Sequence, residues 1–402
     1  MKIVFVATAF TPEMSGYAGM ALPKAIATLP GVKVHVIAPN LNVYHDNPEY
    51  PAIYEPFLGP AETLCGTQQI NGFTLHRLQH WKYKGQVFIR GLGKKLRALE
   101  PDVVHAWIPN GPVSLQLAFF KMFIPYIYFT GQHTTKSVFP LANQPKIGLL
   151  DWLKVFTTRM APGRIISWAT YGCYAATSDC GDIAVRFMGV PAQKCLIRNL
   201  GVDVELFHPA SASDELSQRE KMRQELGFDV DAIVCLYTGR LADDKSPLCL
   251  AQAIEKLRAE GAPFMGLFIG DGPQKSAIEA CAGCVVLPFR DYSELPPFYR
   301  MVDVGVWPTQ ESTSMLDAAA SALPIIVSDR LQAKERVDGN GLMYKQNDSE
   351  DLTRVLKLLI SEDIRRNLGA TGREKMIQTF SWKAIAKRTL ADFERAKTNA
   401  CL

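Results

Sequence analysis

The sequence predicts an α/β protein with two domains, each built on a largely parallel sheet. Its 402 residues exceed what one ordinary core accommodates and suit two domains. Short apolar runs alternate with helical segments in both halves, as expected for strands covered on both faces. Because 48% of the residues are hydrophobic, each half can bury a substantial core.

The first half is predicted to begin with a strand and to alternate strands with helices. The apolar runs that indicate parallel strands are Lys2–Ala7, Lys33–Ala38, Asp102–His105, Tyr126–Phe129 and Tyr174–Thr177. Val113–Phe123 is predicted to be a buried helix, and Ser178 is a good residue to cap a following helix. The polar segment Asp203–Leu216, which contains Pro209, is the predicted linker to the second half.

The second half repeats this architecture without repeating its sequence. Its predicted strands are Ile233–Tyr237, Met265–Ile269, Val302–Trp307 and Ile325–Val327. A helix is expected from Met315. Amphipathic helices are expected at Glu350–Ile360 and around Ile364–Phe380, and a final helix runs from Trp382 to about Lys397.

Two cations follow the first strand of the second half. Arg240 and Lys245 come directly after Gly239, which turns the chain at the end of that strand. The carboxyl edge of an open α/β sheet is where such folds bind ligands. An arginine fork and a lysine point charge at this edge can clamp a diphosphate. The alternative interpretation is a pair of solvated surface charges.

The next strand runs into a glycine turn, and a hydroxyl-rich segment precedes a later helix. Gly270 and Gly272 permit a tight turn and close approach of a ligand, although an ordinary strand-to-helix turn would also contain them. A helix that starts near Ser312, Thr313 and Ser314 would direct backbone N–H groups at a phosphate or a sugar hydroxyl.

Taken in order, these motifs resemble the retaining glycosyltransferases of family 4. Those enzymes have the GT-B fold, in which two Rossmann-like domains face a central cleft. The resemblance spans nearly the whole chain. It rests on GRLADDK, FIGDGP, DVGVWP and ESTSMLDAAASALPIIVSD, and on Asn199–Asp203 upstream.

The resemblance implies a division of labour between the domains. Residues 1–203 would form the acceptor-side domain, with a C-terminal helix at 384–402 packing back on it, and residues 204–383 would bind the donor. In this family the counterparts of Arg240 and Lys245 bind the donor diphosphate, and an acidic residue at the position of Asp317 holds the ribose hydroxyls. Gly239 and Arg290 belong to the same expected donor-binding set.

The acidic loop departs from the family pattern. The family has two glutamates separated by seven residues, whereas here Glu311 and Asp317 are separated by five. Strict spacing places Thr309 in the first position. Because the loop between the acidic residues is shorter here, Glu311 is a candidate donor-sugar contact. Ser314 and Asp317 also form an S-x-x-D pattern that can cap the helix, a role compatible with ribose binding.

The first half offers further candidates at the ends of its strands. Gly16 follows the first strand, where related enzymes approach the donor phosphates, but the usual pair of adjacent glycines is absent and a simple turn is the alternative. His133 falls where the family often places a histidine beside the donor sugar, and a solvated loop histidine is the alternative. His105 ends another strand and is either a cleft residue or a buried histidine.

The expected function is therefore a retaining, hexosyltransferase-type glycosyl transfer. A sugar would move from a nucleotide-diphosphate sugar to a hydroxyl of a sugar, lipid-linked or small-molecule acceptor, in surface polysaccharide, glycolipid or glycoconjugate synthesis. Apart from this donor substrate, no cofactor and no metal are implied. The alternatives are a GT-B nucleotide-sugar epimerase and a catalytically silent GT-B nucleotide-binding partner.

Composition restricts the partners. The net charge is only +4 and no basic run suggests a nucleic-acid groove, so nucleic acid is not expected. The first apolar run is short and passes into a loop, which favours a strand over a signal peptide. Scattered cysteines suit a reducing cytoplasm, and the lone C-x-x-C at Cys281 and Cys284 is not expected to hold a metal.

One segment suggests contact with a membrane surface. No apolar stretch reaches the roughly twenty residues that cross a bilayer. Residues 147–164, however, combine large apolar side chains with Lys154, Arg159 and Arg164. Peripheral contact at the inner face of the membrane and packing on the protein's own core are the two alternatives, and apolar residues at helical spacing more often pack on the core.

Overall fold

The computed structural model describes residues 1–12, 18–136, 139–144, 147–309 and 312–401. These residues divide into two compact units. The first comprises Met1–Leu200 and Ile385–Leu402, and the second comprises Gly201–Ala384. The divisions predicted from the sequence lie at 203/204 and 383/384.

The first unit alternates strands with helices along most of its length. Its strands are β1 Lys2–Val6, β2 Lys33–Pro39, β3 Gly66–Ile70, β4 Phe73–Leu78, β5 His80–Tyr83, β6 Gln86–Ile89, β7 Val103–Ala106, β8 Ile127–Gln132, β9 Gly172–Ala175 and β10 Cys195–Ile197. Its helices are α1 Ala18–Ala27, α2 Tyr50–Ile53, α3 Glu55–Leu58, α4 Leu92–Leu99, α5 Pro112–Phe120, α6 Leu149–Val155, α7 Ala161–Ala169 and α8 Ser178–Phe187. A π-helical turn at Phe156–Met160 joins α6 to α7.

The main sheet of the first unit has the order β10-β9-β8-β7-β1-β2-β4-β3. Its pairs are parallel except for β3 with β4, which is antiparallel. The strands predicted for this half are all present, with ends shifted by a few residues. Strands β1, β7, β8 and β9 are almost wholly buried, as their apolar composition requires.

Two local predictions for the first unit need correction. The helix predicted at Val113–Phe123 ends at Phe120 and is buried on one face only, whereas Phe119, Met122 and Phe123 are exposed. The cap of α8 is Thr177 and not Ser178, because the Thr177 hydroxyl accepts a hydrogen bond from the backbone N–H of Cys180.

The second unit is a second strand-helix series. Its strands are β11 Ile233–Thr238, β12 Phe264–Ile269, β13 Cys284–Leu287, β14 Val304–Trp307, β15 Ile325–Ser328 and β16 Gly341–Tyr344. Its helices are α9 Ser213–Glu225, α10 Pro247–Ala259, α11 Lys275–Glu279, α12 Pro296–Met301, α13 Ser314–Ala320, α14 Ser349–Leu358 and α15 Glu362–Lys375, followed by a π-helical turn at Met376–Phe380.

All strand pairs of the second sheet are parallel, in the order β13-β12-β11-β14-β15-β16. The chain runs outward from β11 to β13 and then returns to place β14 beside β11. This reversal opens a crevice at the carboxyl ends of β11 and β14, the position where open α/β sheets bind ligands.

The predicted linker is wrong at both of its ends. Phe207 is fully buried in the core of the second unit, so the chain is already part of that unit there. Helix α9 begins at Ser213, and its Arg219 and Arg223 pair with the Asp303 carboxylate at 2.9 and 3.1 Å. These ion pairs tie α9 to the residue that precedes β14.

The final helix, α16 Trp382–Cys401, continues from the second unit into the first. Its Phe393 is fully buried against the rings of Phe129 and Tyr174, and its Asp392 forms a two-pronged ion pair with Arg198 at 2.7 and 3.0 Å. The part of the helix from Ile385 onward therefore packs on β8 and β9. Within the described ranges, no helix has the length and apolar character that a membrane crossing demands.

Candidate functional site

The second unit has an open pocket where the strand order reverses. Residues at the ends of β11 and β14 line it: Tyr237, Thr238, Gly239, Arg240, Lys245, Trp307, Pro308, Thr309 and Ser312. Four of the residues predicted from the sequence are therefore brought together here, namely Gly239, Arg240, Lys245 and Ser312.

Hydrogen bonds to backbone carbonyls hold the walls of this pocket. The Trp307 indole donates to the Thr238 carbonyl at 3.3 Å and so joins β14 to β11 at the reversal. The Tyr237 hydroxyl donates to the Arg240 carbonyl at 2.9 Å, and the Tyr344 hydroxyl donates to the Pro308 carbonyl at 2.7 Å. Since these aromatic side chains are almost fully buried, the pocket walls are held in place before a ligand arrives.

The two cations of the pocket meet at one carboxylate oxygen. Arg240 Nη2 lies 2.8 Å from Asp244 Oδ2, and Lys245 Nζ lies 3.7 Å from the same atom. The Arg240 side chain is 68% exposed, whereas that of Lys245 is 20% exposed, and burial lowers the pKa of the Lys245 ammonium. An exposed guanidinium and a largely buried ammonium group thus contact the same carboxylate oxygen.

Thr309 occupies the position that strict family spacing assigns to the first acidic residue. Its hydroxyl donates to the Asp244 carbonyl at 3.0 Å and links the β14 end to the cation loop. Glu311, the alternative candidate, lies outside the described residues, so its role stays a prediction.

The glycines of the two strand-end loops pack against each other. Gly270 and Gly272 have φ values of 150° and 153°, in the region that favours glycine. A Cβ at Gly270 would lie 2.0 Å from the Gly239 carbonyl oxygen, and one at Gly272 would lie 2.4 Å from the Leu241 carbonyl oxygen. Neither residue lines the pocket. The space beside them is filled by backbone, so loop packing accounts for both glycines.

Asp317 is buried beside tyrosines and does not line the pocket. Its carboxyl group accepts a hydrogen bond from the Tyr292 hydroxyl at 3.3 Å, and it is only 4% exposed. Burial raises its pKa to about 8, and the nearby Asp203 adds to the rise. The interpretation that Ser314 and Asp317 cap α13 is wrong, because Ser314 is already the first residue of the helix and the cap residue, Thr313, makes no side-chain hydrogen bond there. Ribose binding by Asp317 stays a prediction.

The remaining predicted residues of the second unit follow β13 or precede and begin α13. Ser314 is the first residue of α13, and its N–H donates to the Ser312 hydroxyl at 3.2 Å. Thr313 is exposed. Arg290 lies after β13, where its guanidinium is 3.8 Å from Glu294. Of these residues only Ser312 reaches the pocket lining.

In the first unit, His133 follows β8 and stands close to His105. A Cβ at Gly131 would lie 3.0 Å from His133 Nε2 and 3.5 Å from His105 Cε1, so both rings border one small space. Burial lowers the pKa of His133 to about 4 and that of His105 to about 3, so both imidazoles are neutral at pH 7. His133 Nε2 is buried and has no hydrogen-bond partner among the described residues. Gly16 lies outside those residues.

Three residues that line the pocket, Tyr237, Thr238 and Trp307, were not predicted from the sequence to belong to the site. Thr238 and Trp307 belong to apolar strand runs, where they read as core residues. Their position as the last residues of two strands was the available signal, because strand ends meet at the edge of the sheet.

Comparison with known proteins agrees with this geometry. Residues 232–362 match a family model described as "Glycosyl transferases group 1". This segment contains all the residues that line the pocket.

Curated relatives of this chain include enzymes and a spore coat protein. Spore coat protein SA of Bacillus subtilis is 29% identical over 216 residues, which are 48% of this chain and 57% of that protein. A D-inositol 3-phosphate glycosyltransferase of Xylanimonas cellulosilytica is 28% identical over 55% of this chain and 56% of that protein. The chain thus spans little more than half the length of these two relatives. A D-inositol 3-phosphate glycosyltransferase of Stackebrandtia nassauensis is 24% identical over 84% of this chain and 79% of that protein.

Solved structures share the fold over almost the whole chain. A glycosyltransferase from Rickettsia africae superposes with a TM-score of 0.70 at 13% identity and covers 98% of both chains. Anabaena HepE in complex with UDP has a TM-score of 0.68 at 14% identity and covers 98% of this chain and 100% of its own. The GT-B fold of two Rossmann-like domains, expected from the glycosyltransferase resemblance, is confirmed.

Replacing Gly270 with alanine is expected to destabilise the second unit. The new Cβ would overlap the Gly239 carbonyl, so Gly270→Ala should lower the free energy of unfolding by more than about 2 kcal/mol. Gly261→Ala is the matched control, because Gly261 also has a positive φ, 79°, but has open space around it. It should cost only about 1 kcal/mol. Urea unfolding curves measure both values, and equal losses would contradict the loop-packing role.

Asp317 is expected to make stability fall as the pH rises. The folded chain keeps a proton on Asp317 up to about pH 8, whereas the unfolded chain releases it near pH 4. The stability contributed is complete below the unfolded pKa and is lost as the pH rises through the folded pKa. Asp317→Asn keeps an oxygen for Tyr292 but cannot titrate. Between pH 5 and 9, the wild type should therefore lose at least about 1 kcal/mol more unfolding free energy than this variant. Parallel pH profiles would show that Asp317 is ionised in the fold.

Proposed function

We propose that the protein transfers a hexosyl group from a nucleoside-diphosphate sugar to a hydroxyl acceptor, with retention at the anomeric carbon. The observation that carries this proposal is the meeting of Arg240 and Lys245 at a single anionic oxygen, 2.8 and 3.7 Å away. Two cations that reach one carboxylate oxygen can also reach one diphosphate. The D-inositol 3-phosphate glycosyltransferases among the relatives, and the UDP and UDP-glucose complexes of HepE, support this class of donor.

The proposed chemistry depends on stabilising the departing diphosphate. As the bond between the anomeric carbon and the diphosphate oxygen breaks, negative charge grows on the phosphates, and Arg240 and Lys245 offset it. The Ser312 hydroxyl lines the same pocket, accepts a hydrogen bond from the Ser314 N–H and can donate to a phosphate oxygen. The Thr309 hydroxyl keeps its hydrogen bond to the Asp244 carbonyl. These cations supply the charge that a metal supplies in other transferases, so we propose that no divalent cation is required.

Retention follows from attack on the face that the diphosphate leaves. The acceptor oxygen bonds to the anomeric carbon on that face, and its proton passes to the leaving phosphate oxygen. Neutral His133 can accept a hydrogen bond from a sugar hydroxyl, or donate one to it, without adding charge. Asp317 is assigned to the ribose hydroxyls, and Glu311 to the donor sugar.

The acceptor is proposed to lie at a lipid surface that the first unit contacts. The structure exposes most of the large apolar side chains of the 147–164 segment, so the alternative that they pack on their own core is wrong for these residues. Leu149 and Leu150 are 80% and 82% exposed, and on α7 Trp168 is 76% exposed. Neighbouring α5, which packs against α7, carries the exposed Phe119, and the exposed Met122 and Phe123 follow its C-terminal end.

The charges of this surface favour an anionic membrane. Between residues 147 and 164 the sequence has three cations and a single acid, Asp151. Lys154 and Arg164 are exposed, whereas the Arg159 guanidinium lies 4.9 Å from the centre of the Phe139 ring and is partly covered. Exposed apolar groups flanked by cations are typical of proteins that bind the inner face of a membrane. We therefore propose a cytoplasmic, peripheral enzyme with a lipid-linked acceptor.

Removal of either pocket cation should abolish most of the activity without unfolding the protein. Arg240→Ala and Lys245→Ala are expected to weaken nucleoside-diphosphate binding and to lower kcat/KM by about 100-fold or more. Lys275→Ala is the matched control, because Lys275 pairs with Asp271 at i,i+4 as Arg240 pairs with Asp244, but outside the pocket lining.

Titration calorimetry with UDP, GDP and ADP, and transfer assays with and without EDTA, measure these effects. Normal kinetics in both variants would contradict the proposal. Binding without turnover would instead identify a silent partner, and a changed donor sugar in the absence of acceptor would identify an epimerase.

Charge reversal on the apolar surface should prevent membrane binding. The purified protein is expected to bind anionic liposomes at low salt, and Lys154→Glu with Arg164→Glu should abolish that binding while nucleotide affinity is unchanged. Lys221→Glu with Arg366→Glu is the control, since both residues are exposed and the change in net charge is the same. Cosedimentation provides the measurement. If the wild type does not bind, a soluble acceptor replaces the lipid-linked one.

A further inference from the structure

Asp244 stands at the point where the two pocket cations meet. Its Oδ2 atom contacts Arg240 at 2.8 Å and Lys245 at 3.7 Å, and its backbone carbonyl is held by the Thr309 hydroxyl at 3.0 Å. The adjacent Asp243 is engaged elsewhere, because its Oδ1 accepts a hydrogen bond from the Gln274 amide at 2.5 Å. Only the second carboxylate of the DD pair is therefore directed at the cations.

The contact is well placed to be exchanged for a ligand. The Arg240 and Asp244 side chains are 68% and 54% exposed, and ion pairs at such exposed sites are weak. The backbone of Asp244 remains tethered through Thr309, so its side chain can rotate away and return without movement of the loop. A phosphate oxygen that approaches both cations has to take the place of Asp244 Oδ2.

From this geometry we infer that Asp244 is an internal counter-anion that competes with the donor diphosphate for Arg240 and Lys245. The inference rests on the proposed function. Without a ligand, the carboxylate offsets one of the two positive charges. When a diphosphate binds, the carboxylate is displaced and its negative charge opposes the ligand. After transfer, the same carboxylate can pair again with the cations as the nucleoside diphosphate leaves.

This role predicts an effect of opposite sign from that of a supporting residue. If Asp244 merely oriented the cations, its removal would weaken nucleotide binding. If it competes with the phosphates, its removal strengthens binding, because one competitor and one repulsive charge are lost. The sign of the change in affinity therefore distinguishes the two roles.

The test compares Asp244→Asn with Asp243→Asn, which removes the same charge from the neighbouring residue that does not hold the cations. UDP, GDP and ADP are titrated against each protein by calorimetry. For the nucleotide that the wild type binds, Asp244→Asn should lower Kd by about twofold to fivefold, the range expected when an exposed ion pair is removed. Asp243→Asn should change Kd by a clearly smaller factor than Asp244→Asn does.

Kinetics and salt dependence give independent readouts. With the matching donor sugar, Asp244→Asn should lower KM and leave kcat unchanged or reduced, because product leaves more slowly. The gain in affinity should shrink as ionic strength rises. Asp244→Ala should reproduce the gain, which excludes an effect specific to the asparagine amide.

The outcomes separate this inference from the proposed function. A wild type that binds none of the three nucleotides would overturn both. A wild type that binds one of them, with Asp244→Asn and Asp244→Ala binding equally or more weakly, would overturn the competition and leave the transferase proposal intact.

Discussion

The hydrogen bond from the Trp307 indole to the Thr238 carbonyl closes the reversal of strand order on which the site depends. Parallel strands that diverge from a central pair leave a crevice at their carboxyl ends, and this bond fixes its width where β11 and β14 meet. The remaining bonds of the walls, from Tyr237 and Tyr344, also end on backbone carbonyls. The pocket thus has a rigid backbone frame, and its charged groups are carried on exposed or partly exposed side chains that can exchange partners.

The second unit has charged groups exposed at its pocket and a neutral acid, Asp317, in its interior. At the pocket, the cations share a solvent-exposed carboxylate, so their charge is available to an incoming anion. Asp317, which does not line the pocket, is buried beside Tyr292, and burial keeps it protonated near neutral pH. A neutral buried acid avoids the cost of an unpaired charge in the core and can still exchange hydrogen bonds. The exposed cations, by contrast, are the pair proposed to bind the donor diphosphate.

The first unit combines a buried polar centre with an apolar exterior. His105 and His133 are neutral through burial at the ends of β7 and β8, while α5, α6 and α7 expose large apolar side chains. Such exposure in a folded domain indicates a surface that is covered in use. Its cations make a membrane surface the proposed cover, which would place acceptor lipids on the same unit as the neutral histidines.

The sequence alone determined the strands, the two-unit architecture and the cation pair. Each of these is recognised from residues that are contiguous in the chain, such as an apolar run followed by a glycine. Hence Arg240 and Lys245 were found before the fold was known, and their place in the pocket agrees with the prediction. Tertiary structure decided what depends on residues distant in sequence. Only the packing of the two loops shows that Gly270 is required by the Gly239 carbonyl, and only the fold shows that Asp317 faces Tyr292 instead of capping α13. The same applies to 147–164, whose apolar pattern fits a core or a surface equally well, since periodicity records which residues share a face but not what covers that face.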